Sequence, residues 1–173
     1  IVSNSGVISS DVTGVGTARN DGVGVGYGVG LALFAFGYRG SGTYENVKNL
    51  VNSSGVVSAD VTGVGTAGAG LGASTYGSSG QAVIAFGYRG GNTNTRNLIN
   101  SSGVIASDVS GAGTARSEMS AASYGGDKGI MAYGGSLLNI SNLVSTTGVV
   151  SADVTGVGTG RRHLAAAGYS YSA

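Results

Sequence analysis

The segment LVNSSGVVSADVTGVGT, at residues 50–66, determines how this chain is organised, because close variants of it occur three more times. The four copies start at residues 1, 50, 98 and 143, so their spacings are 49, 48 and 45. A recurring period of this size is the signature of a repeat architecture, in which each unit packs on its neighbours. The copies lie at residues 1–17, 50–66, 98–114 and 143–159.

The rest of each complete unit has the composition of short β-strands. A segment of small residues ends in Tyr-Gly, and an apolar run bounded by glycine follows it. Glycine and β-branched residues disfavour helix, and short apolar runs of this kind are typical of buried strands. We therefore expect an all-β fold with about four short strands per unit. The tyrosines are Tyr27, Tyr76 and Tyr124, with Tyr169 in the last unit, and the apolar runs are 31–38, 82–88 and 129–135.

These patterns predict a single repeat domain, residues 1–173, with units at 1–49, 50–97 and 98–142 and an incomplete unit at 143–173. A four-stranded unit of about 48 residues has the size of a β-propeller blade. The fourth unit lacks its apolar run, and several arrangements stay open. They are a four-bladed ring, a ring of two chains, a filament, and a piece of a longer array.

The composition excludes several classes of protein. Among 173 residues there are 35 Gly, no Cys, no Pro, no Trp and one His. Without Cys the chain has no disulfide and no thiol nucleophile, and one His cannot form a His-based metal cluster. Charged residues make up 10% and the net charge is +1, so no basic surface for nucleic acid is expected. No apolar run approaches the ~18 residues of a membrane span. We predict no cofactor, no metal site, no nucleic-acid partner and no membrane insertion.

The third unit is similar to a known repeat family. The triplet Thr-Ala-Arg at 114–116 comes before a small-residue strand and a tight turn at 121–128, and the apolar strand at 129–135 ends in a double glycine. This arrangement resembles a kelch repeat. The likeness extends over all four units, although the chain has no Trp and the double glycine is complete only at 134–135. The resemblance implies a β-propeller built from four kelch-like repeats of about 48 residues, the last incomplete.

The chain also resembles the Gly/Tyr-rich repeat arrays of phage-type and environmental viral proteins, through the sequence YGGDK at 124–128. This second resemblance implies a component of a phage-type tail or fibre. It places the protein outside the cell or on the virion surface.

An aspartate occupies the same position in every copy of the repeated segment. One interpretation is a ring of carboxylates that holds Ca²⁺ or a sugar. The interpretation we favour is structural: each side chain accepts backbone N–H bonds in the turn that follows, because each Asp comes shortly before Thr-Gly or Ser-Gly. These residues are Asp11, Asp60, Asp108 and Asp153.

Tyrosine and arginine occur together at the end of two apolar runs, as Tyr38-Arg39 and Tyr88-Arg89. A flat ring beside a five-donor guanidinium suits stacking on a sugar, so these four residues and Tyr133 are candidates for ligand binding. A second set of arginines shares one register. For it we favour hydrogen bonds to backbone carbonyls between blades over recognition of an anion or glycan. That set is Arg19, Arg116 and Arg161, with Gly68 in the second unit.

Two further motifs do not support an enzyme. GVGTAG at 63–68 matches G-x-G-x-x-G, but no helix or βαβ unit follows it, so we interpret the match as accidental. His163 lies beside two arginines, and we expect it at the surface rather than in a catalytic triad. With one His and no repeated acid–base pair, the sequence predicts that the chain is not an enzyme.

Two functional hypotheses follow. The first is a non-enzymatic structural or interaction module of an extracellular or virion assembly, with variable loops at 40–48, 90–96 and 135–139 on a constant scaffold. The second is a lectin-like propeller that binds a cell-surface glycan through the Tyr and Arg candidates. The expected partners are other copies of this chain, in a homo-oligomer, multi-chain ring or filament, and in the second hypothesis a glycan.

Overall fold

The architecture is that of a computed structural model, which describes residues 2–3 and 5–168. Every regular element in these residues is a β-strand, so the all-β prediction is confirmed. The described part of the chain contains no helix able to cross a bilayer. Tyr169 lies outside the described residues. The strands are β1 (Val23–Tyr27), β2 (Leu31–Tyr38), β3 (Tyr44–Val51), β4 (Gly72–Tyr76), β5 (Gln81–Ala85), β6 (Arg96–Ile99), β7 (Ser120–Tyr124), β8 (Lys128–Ala132), β9 (Ile140–Val144) and β10 (Val154–Thr155).

The strands form three small antiparallel sheets, in the orders β1-β2-β3, β4-β5-β6 and β7-β8-β9-β10. We call them the first, second and third sheets. Each begins with a hairpin that joins a small-residue strand to an apolar strand, as in the pairing of Tyr27 with Leu31. The turn of that hairpin depends on glycine, because Gly28 and Gly30 have positive φ, which residues with a Cβ rarely adopt.

The repeated segment lies at the outer edge of the sheets. In the first sheet, Val57 and Val61 form isolated bridges to Val51 and Lys48 of β3. In the third sheet the equivalent residues include β10, which pairs with β9. Each of these copies therefore joins the sheet formed by the strands before it, and the expected fourth strand is regular only in the third sheet. We call the stretches 6–15, 55–64, 103–112 and 148–157 the edge segments.

The three sheets pack face to face in chain order, with the second in the middle. Strand β5 shows how the core is shared. Ala82 and Ile84 join the hydrophobic core of the first sheet, whereas Val83 and Ala85 join the core of the third sheet. All four side chains are fully buried. The middle sheet is therefore apolar on both faces, as expected for a continuous apolar run.

Both end faces of this three-sheet stack expose side chains whose equivalents are buried inside it. Phe34 of the first sheet is 52% exposed, whereas Ile84 and Met131, its equivalents in β5 and β8, are fully buried. Tyr124 of the third sheet is 36% exposed, whereas the same tyrosine in the first and second sheets is 5% and 4% exposed. The end faces thus carry the kind of apolar surface that a neighbouring sheet covers within the stack.

Candidate functional site

A polar cluster of four side chains recurs in each sheet. In the third sheet, Asp153 accepts hydrogen bonds from the backbone N–H of Thr114 at 3.0 Å and from its hydroxyl at 2.6 Å. The Asn142 amide donates to the same carboxylate at 2.9 Å, and Arg116 donates to Asn142 Oδ1 at 2.6 Å. We call each such set a junction cluster. The three are Thr17–Asp60–Asn49–Arg19, Thr66–Asp108–Asn97–Arg89 and Thr114–Asp153–Asn142–Arg116.

Each junction cluster ties together two successive copies of the repeated segment. The Asp belongs to one copy and the Thr to the copy before it, 43, 42 or 39 residues earlier in the chain. The sequence predicts bonds to the turn that follows each Asp, so the observed partners differ from that expectation. The reason is that face-to-face packing brings the end of one copy against the Asp of the next. Asp11, in the N-terminal copy, has no such partner among the described residues.

The arginine of a junction cluster is enclosed by hydrogen-bond acceptors. Arg116 is fully buried, and its Nε donates to the carbonyl oxygen of Tyr133 at 2.7 Å. Arg19 makes equivalent bonds, to the carbonyl oxygen of Phe36 at 2.7 Å and to Asn49 Oδ1 at 2.6 Å. A buried guanidinium is costly unless its donors have partners, and these bonds supply them. The predicted arginine-to-carbonyl bonds therefore occur for Arg19 and Arg116. Each bond joins residues of a single sheet, whereas the sequence analysis expected bonds between neighbouring units.

The second sheet supplies its arginine from a different backbone position. Gly68 occupies the register of the other two arginines, and Arg89 reaches the cluster from beyond the apolar run instead. Its guanidinium donates to Asn97 Oδ1 at 2.7 Å and to Asp108 Oδ1 at 3.0 Å. Only 3% of the Arg89 side chain is exposed. Arg89, a predicted ligand-binding residue, is thus enclosed in a junction cluster.

Three arginines also stack on an aromatic ring of the preceding sheet. For the buried Arg89 and Arg116 the contact adds a cation–π attraction of about 2 kcal/mol to the hydrogen bonds, whereas Arg161 is exposed and gains less. The ring contacts of Arg89 and Arg116 therefore stabilise the packing of one sheet on the preceding one, as the junction clusters do. The pairs, measured from guanidinium carbon to ring centroid, are Arg89 on Phe36 at 4.9 Å, Arg116 on Phe86 at 4.2 Å and Arg161 on Tyr133 at 4.7 Å.

The carboxylates of the junction clusters are held in their charged form. Hydrogen bonds from the Thr and Asn side chains lower the pKa of Asp60 below its ordinary value. For Asp108 and Asp153, desolvation is the largest influence and raises the pKa, but the Asn and Thr bonds and the facing arginine together outweigh it. Burial lowers the pKa of Arg89 and Arg116, and the facing Asp opposes this effect.

We expect the protein to lose stability in acid through these carboxylates. The folded pKa of each junction Asp lies below its unfolded value of about 3.9, so its stabilising effect is complete above that value and disappears as the pH falls through the folded pKa. The free energy of unfolding, measured by urea denaturation, should stay level between about pH 7 and 5 and fall below about pH 4. Asp108→Asn should weaken this fall. A wild-type stability that is unchanged down to about pH 2 would contradict the prediction.

Three tyrosines form a partly exposed aromatic group. The ring centroids of Tyr38 and Tyr44 are 5.1 Å apart with planes at 45°, and those of Tyr44 and Tyr88 are 5.5 Å apart at 39°. Partial desolvation and the two neighbouring phenols raise the pKa of Tyr44. Arg39 follows Tyr38 in the chain and Glu45 follows Tyr44, and these two residues form an ion pair with 2.9 Å between Arg39 Nη1 and Glu45 Oε1. We call Tyr38, Tyr44 and Tyr88 the tyrosine group, and it unites two of the predicted binding residues with one that was not predicted.

Tyr133 is not part of the tyrosine group. It occupies the register of Phe36 and Phe86, and its hydroxyl donates to the carbonyl oxygen of Val157 at 3.0 Å. The cause is visible in the sequence, where the third apolar run continues with glycine at the position that carries Tyr38 or Tyr88 in the first two runs. Within the described residues, therefore, the tyrosine group does not recur in the third sheet.

The sequence interpretation missed the Thr and Asn residues of the junction clusters. The Asn carries a usable signal, because each one stands 11 residues before the repeated Asp. The Thr is the last residue of each repeated segment. Tyr44 was missed for a different reason: the other units have no tyrosine at its position, so the repeat does not mark it.

The remaining candidates from the sequence lie apart from these groups. His163 is exposed, and its Nε2 is 3.2 Å from Glu118 Oε2. Arg162 Nη1 is 3.3 Å from the same carboxylate oxygen. The stretch 63–68 lies in the chain between β3 and β4, and the element that follows it is the strand β4 rather than a helix. Among residues 2–3 and 5–168, no three His, Asp or Glu side chains converge as ligands of a metal ion.

No protein-family model matches the sequence, and no curated protein is significantly similar to it. The function is therefore inferred from the chain itself.

Proposed function

We propose that this chain is a non-enzymatic structural and interaction module of an extracellular or virion assembly, of the phage fibre or tail type. In this proposal the sheets are blades of a kelch-like, propeller-type array. The observation that carries it is the junction cluster, which links successive copies in the same way three times. In each junction cluster the Asp and the Arg bond the same Asn and lie 3.0–3.9 Å apart, so their chemistry serves to hold copies together.

The end faces support assembly with further copies of the repeat. Phe34 on one end and Tyr124 on the other are exposed, while their equivalents inside the stack are buried. A further sheet placed on either end would bury these rings as the internal neighbours do, and burial of apolar surface drives such association.

The loops that differ most between units support a role in interaction, although the first of them is shorter than predicted because residues 44–48 belong to β3. Residues 41–43, 91–92 and 136–137 lie at their exposed tips. Variable exposed loops on a repeated rigid scaffold are the usual arrangement of a recognition surface.

Electron microscopy and light scattering of the purified chain test the proposal. We expect rings or filaments much heavier than the 16.7 kDa chain. Phe34→Asp should abolish these end-to-end species, because it would bury an unpaired charge at each contact. Val29→Asp is the matched control: Val29 is 94% exposed on a hairpin turn, and this variant should assemble like the wild type. Wild-type particles that remain single chains at high concentration would contradict the proposal.

The tyrosine group favours a second candidate function, a lectin-like module that binds a cell-surface glycan. Three tilted phenol rings beside the exposed Arg39 present both stacking faces and hydrogen-bond donors, which sugars require. A glycan array separates the two candidates. Binding that is lost in Tyr44→Ala and retained in Phe34→Asp would make glycan recognition the primary function, and an array without hits leaves the assembly role as the proposal.

A further inference from the structure

The edge segments carry two rows of exposed valines along one side of the stack. Val56, Val104 and Val149 occupy the same register and are 60%, 53% and 50% exposed. The second row, at Val61, Val109 and Val154, is 44–49% exposed. Both rows continue at the equivalent positions of the N-terminal edge segment. Apolar side chains that recur at fixed positions on a surface are unlike the scattered exposed hydrophobics of ordinary proteins.

The edge segments also lack the devices that normally protect a sheet edge. In the third sheet, β10 is the outermost strand of its sheet. Edge strands are usually guarded by Lys, by Pro or by inward-pointing charge. None of the four edge segments contains Lys, Arg or Pro, and the single charged residue of each is its Asp. In the three sheets that Asp is bonded within a junction cluster and is only 26–31% exposed, so most of the exposed surface of the edge comes from uncharged residues.

Neighbouring edge segments bring their valines together in a groove. Val12 and Val15 of the N-terminal edge segment line a groove of about 410 Å³ with Val56 and Val57 of the next one. The other lining residues are glycines and Thr13, so the groove offers no charged group to a partner. A partner for this surface must be apolar as well.

The spacing of the valines identifies the partner. The rows recur once per sheet, so a partner that contacts all of them needs the same period, and a second copy of this chain has it. The two rows and their N-terminal continuation present on the order of 400 Å² of apolar surface, about half of the roughly 800 Å² that each side of a stable interface buries. The intervening Ser, Thr and Gly residues of the edge segments are available for the rest.

We propose that the valine rows are the contact surface for a second copy of this chain, with the rows of one copy packing on those of the other. This lateral contact adds a named surface to the proposed assembly role. It uses the edges of the sheets, whereas the end-to-end contact uses their faces, so each contact can be removed without the other.

Analytical ultracentrifugation in the Phe34→Asp background tests the lateral contact by itself. There we expect a dimer of twice the 16.7 kDa chain mass. Adding Val56→Lys, Val104→Lys and Val149→Lys should raise the dissociation constant about a hundredfold or more, because each lysine puts a like charge into the contact. The matched control is Val29→Lys, outside the rows, which should leave the dimer intact. Circular dichroism of each variant checks that the β-structure is retained.

Two results would overturn the lateral contact. One is a Phe34→Asp chain that stays monomeric at its highest soluble concentration, and the other is a dimer that persists in the triple lysine variant. Should the lysine variant fail to fold, the milder Val→Ser set at the same three positions replaces it, with an expected rise of about tenfold. Neither result affects the end-to-end proposal, which is judged on the rings or filaments of the wild type.

Discussion

Replacement of Arg116 by alanine is expected to lower the free energy of unfolding by about 3–5 kcal/mol. Arg116 is fully buried, and its guanidinium bonds Asn142 and the carbonyl oxygen of Tyr133. The substitution leaves these acceptors without a donor in the interior, and it removes the cation–π contact with Phe86. Denaturation in guanidinium chloride, with the slope of the transition compared between variants, measures the loss.

Arg161→Ala is the matched control for this prediction. Arg161 has the same register and also stacks on an aromatic ring, but it is exposed, and its Nε bonds a single carbonyl at 3.2 Å. Its removal should cost less than about 1 kcal/mol. Equal losses for the two variants would show that the buried junction cluster contributes nothing beyond a surface contact.

Gly63→Ala is expected to destabilise the protein by about 3 kcal/mol through steric conflict. A Cβ on Gly63 would collide with the carbonyl oxygen of Asn46. The two chain segments are held together there, because the side-chain amide of Asn46 donates from Nδ2 to the carbonyl oxygen of Gly65 at 3.0 Å. Backbone cannot move aside as a flexible side chain would, so the edge segment must shift away from β3. Thermal and urea denaturation report the loss.

The chain supplies its own control for this substitution. Gly14 occupies the same position in the N-terminal copy, and a Cβ there would meet nothing within 4 Å. Gly14→Ala should leave the stability unchanged or raise it by up to about 1 kcal/mol, because alanine restricts the unfolded chain. A similar loss at both glycines would mean that the effect comes from backbone conformation rather than from the contact with Asn46.

The strands were largely predictable from local sequence. The apolar run at 31–38 coincides with β2, whereas β5 and β8 end before the predicted runs do. The reason is that Phe86 and Tyr133 have positive φ, as Phe36 does, and this conformation interrupts the pairing. In β2 the register shifts at the same place and the strand resumes. The residue types do not predict this positive-φ conformation, because bulky aromatic residues rarely adopt it.

The position of Arg89 was not predictable from the pattern. The repeat places it with Arg39, which is half exposed and pairs with Glu45. The absence of an arginine at Gly68 leaves a place in the second junction cluster, and Arg89 fills it from another direction. Its different origin is visible in the bonding, since its Nε is buried without a partner among the described residues, whereas Nε of Arg116 donates to a carbonyl.

The period, the all-β class and the place of most strands follow from the residue types and their order, as does the absence of a Cys-based or His-cluster site. The strands depend on residue types within a few positions of one another, whereas the period and the composition can be read directly from the sequence. Three contacts depend on the folded arrangement of the sheets: the pairing of each Thr with the Asp of the next copy, the entry of Arg89 into the second cluster, and the approach of Tyr44 to Tyr38 and Tyr88. The Thr–Asp bonds and the Tyr44–Tyr88 contact join residues of different units, and they exist because the sheets stack face to face. The Tyr38–Tyr44 contact and the bonds of Arg89 arise from strand pairing and loop placement within one sheet.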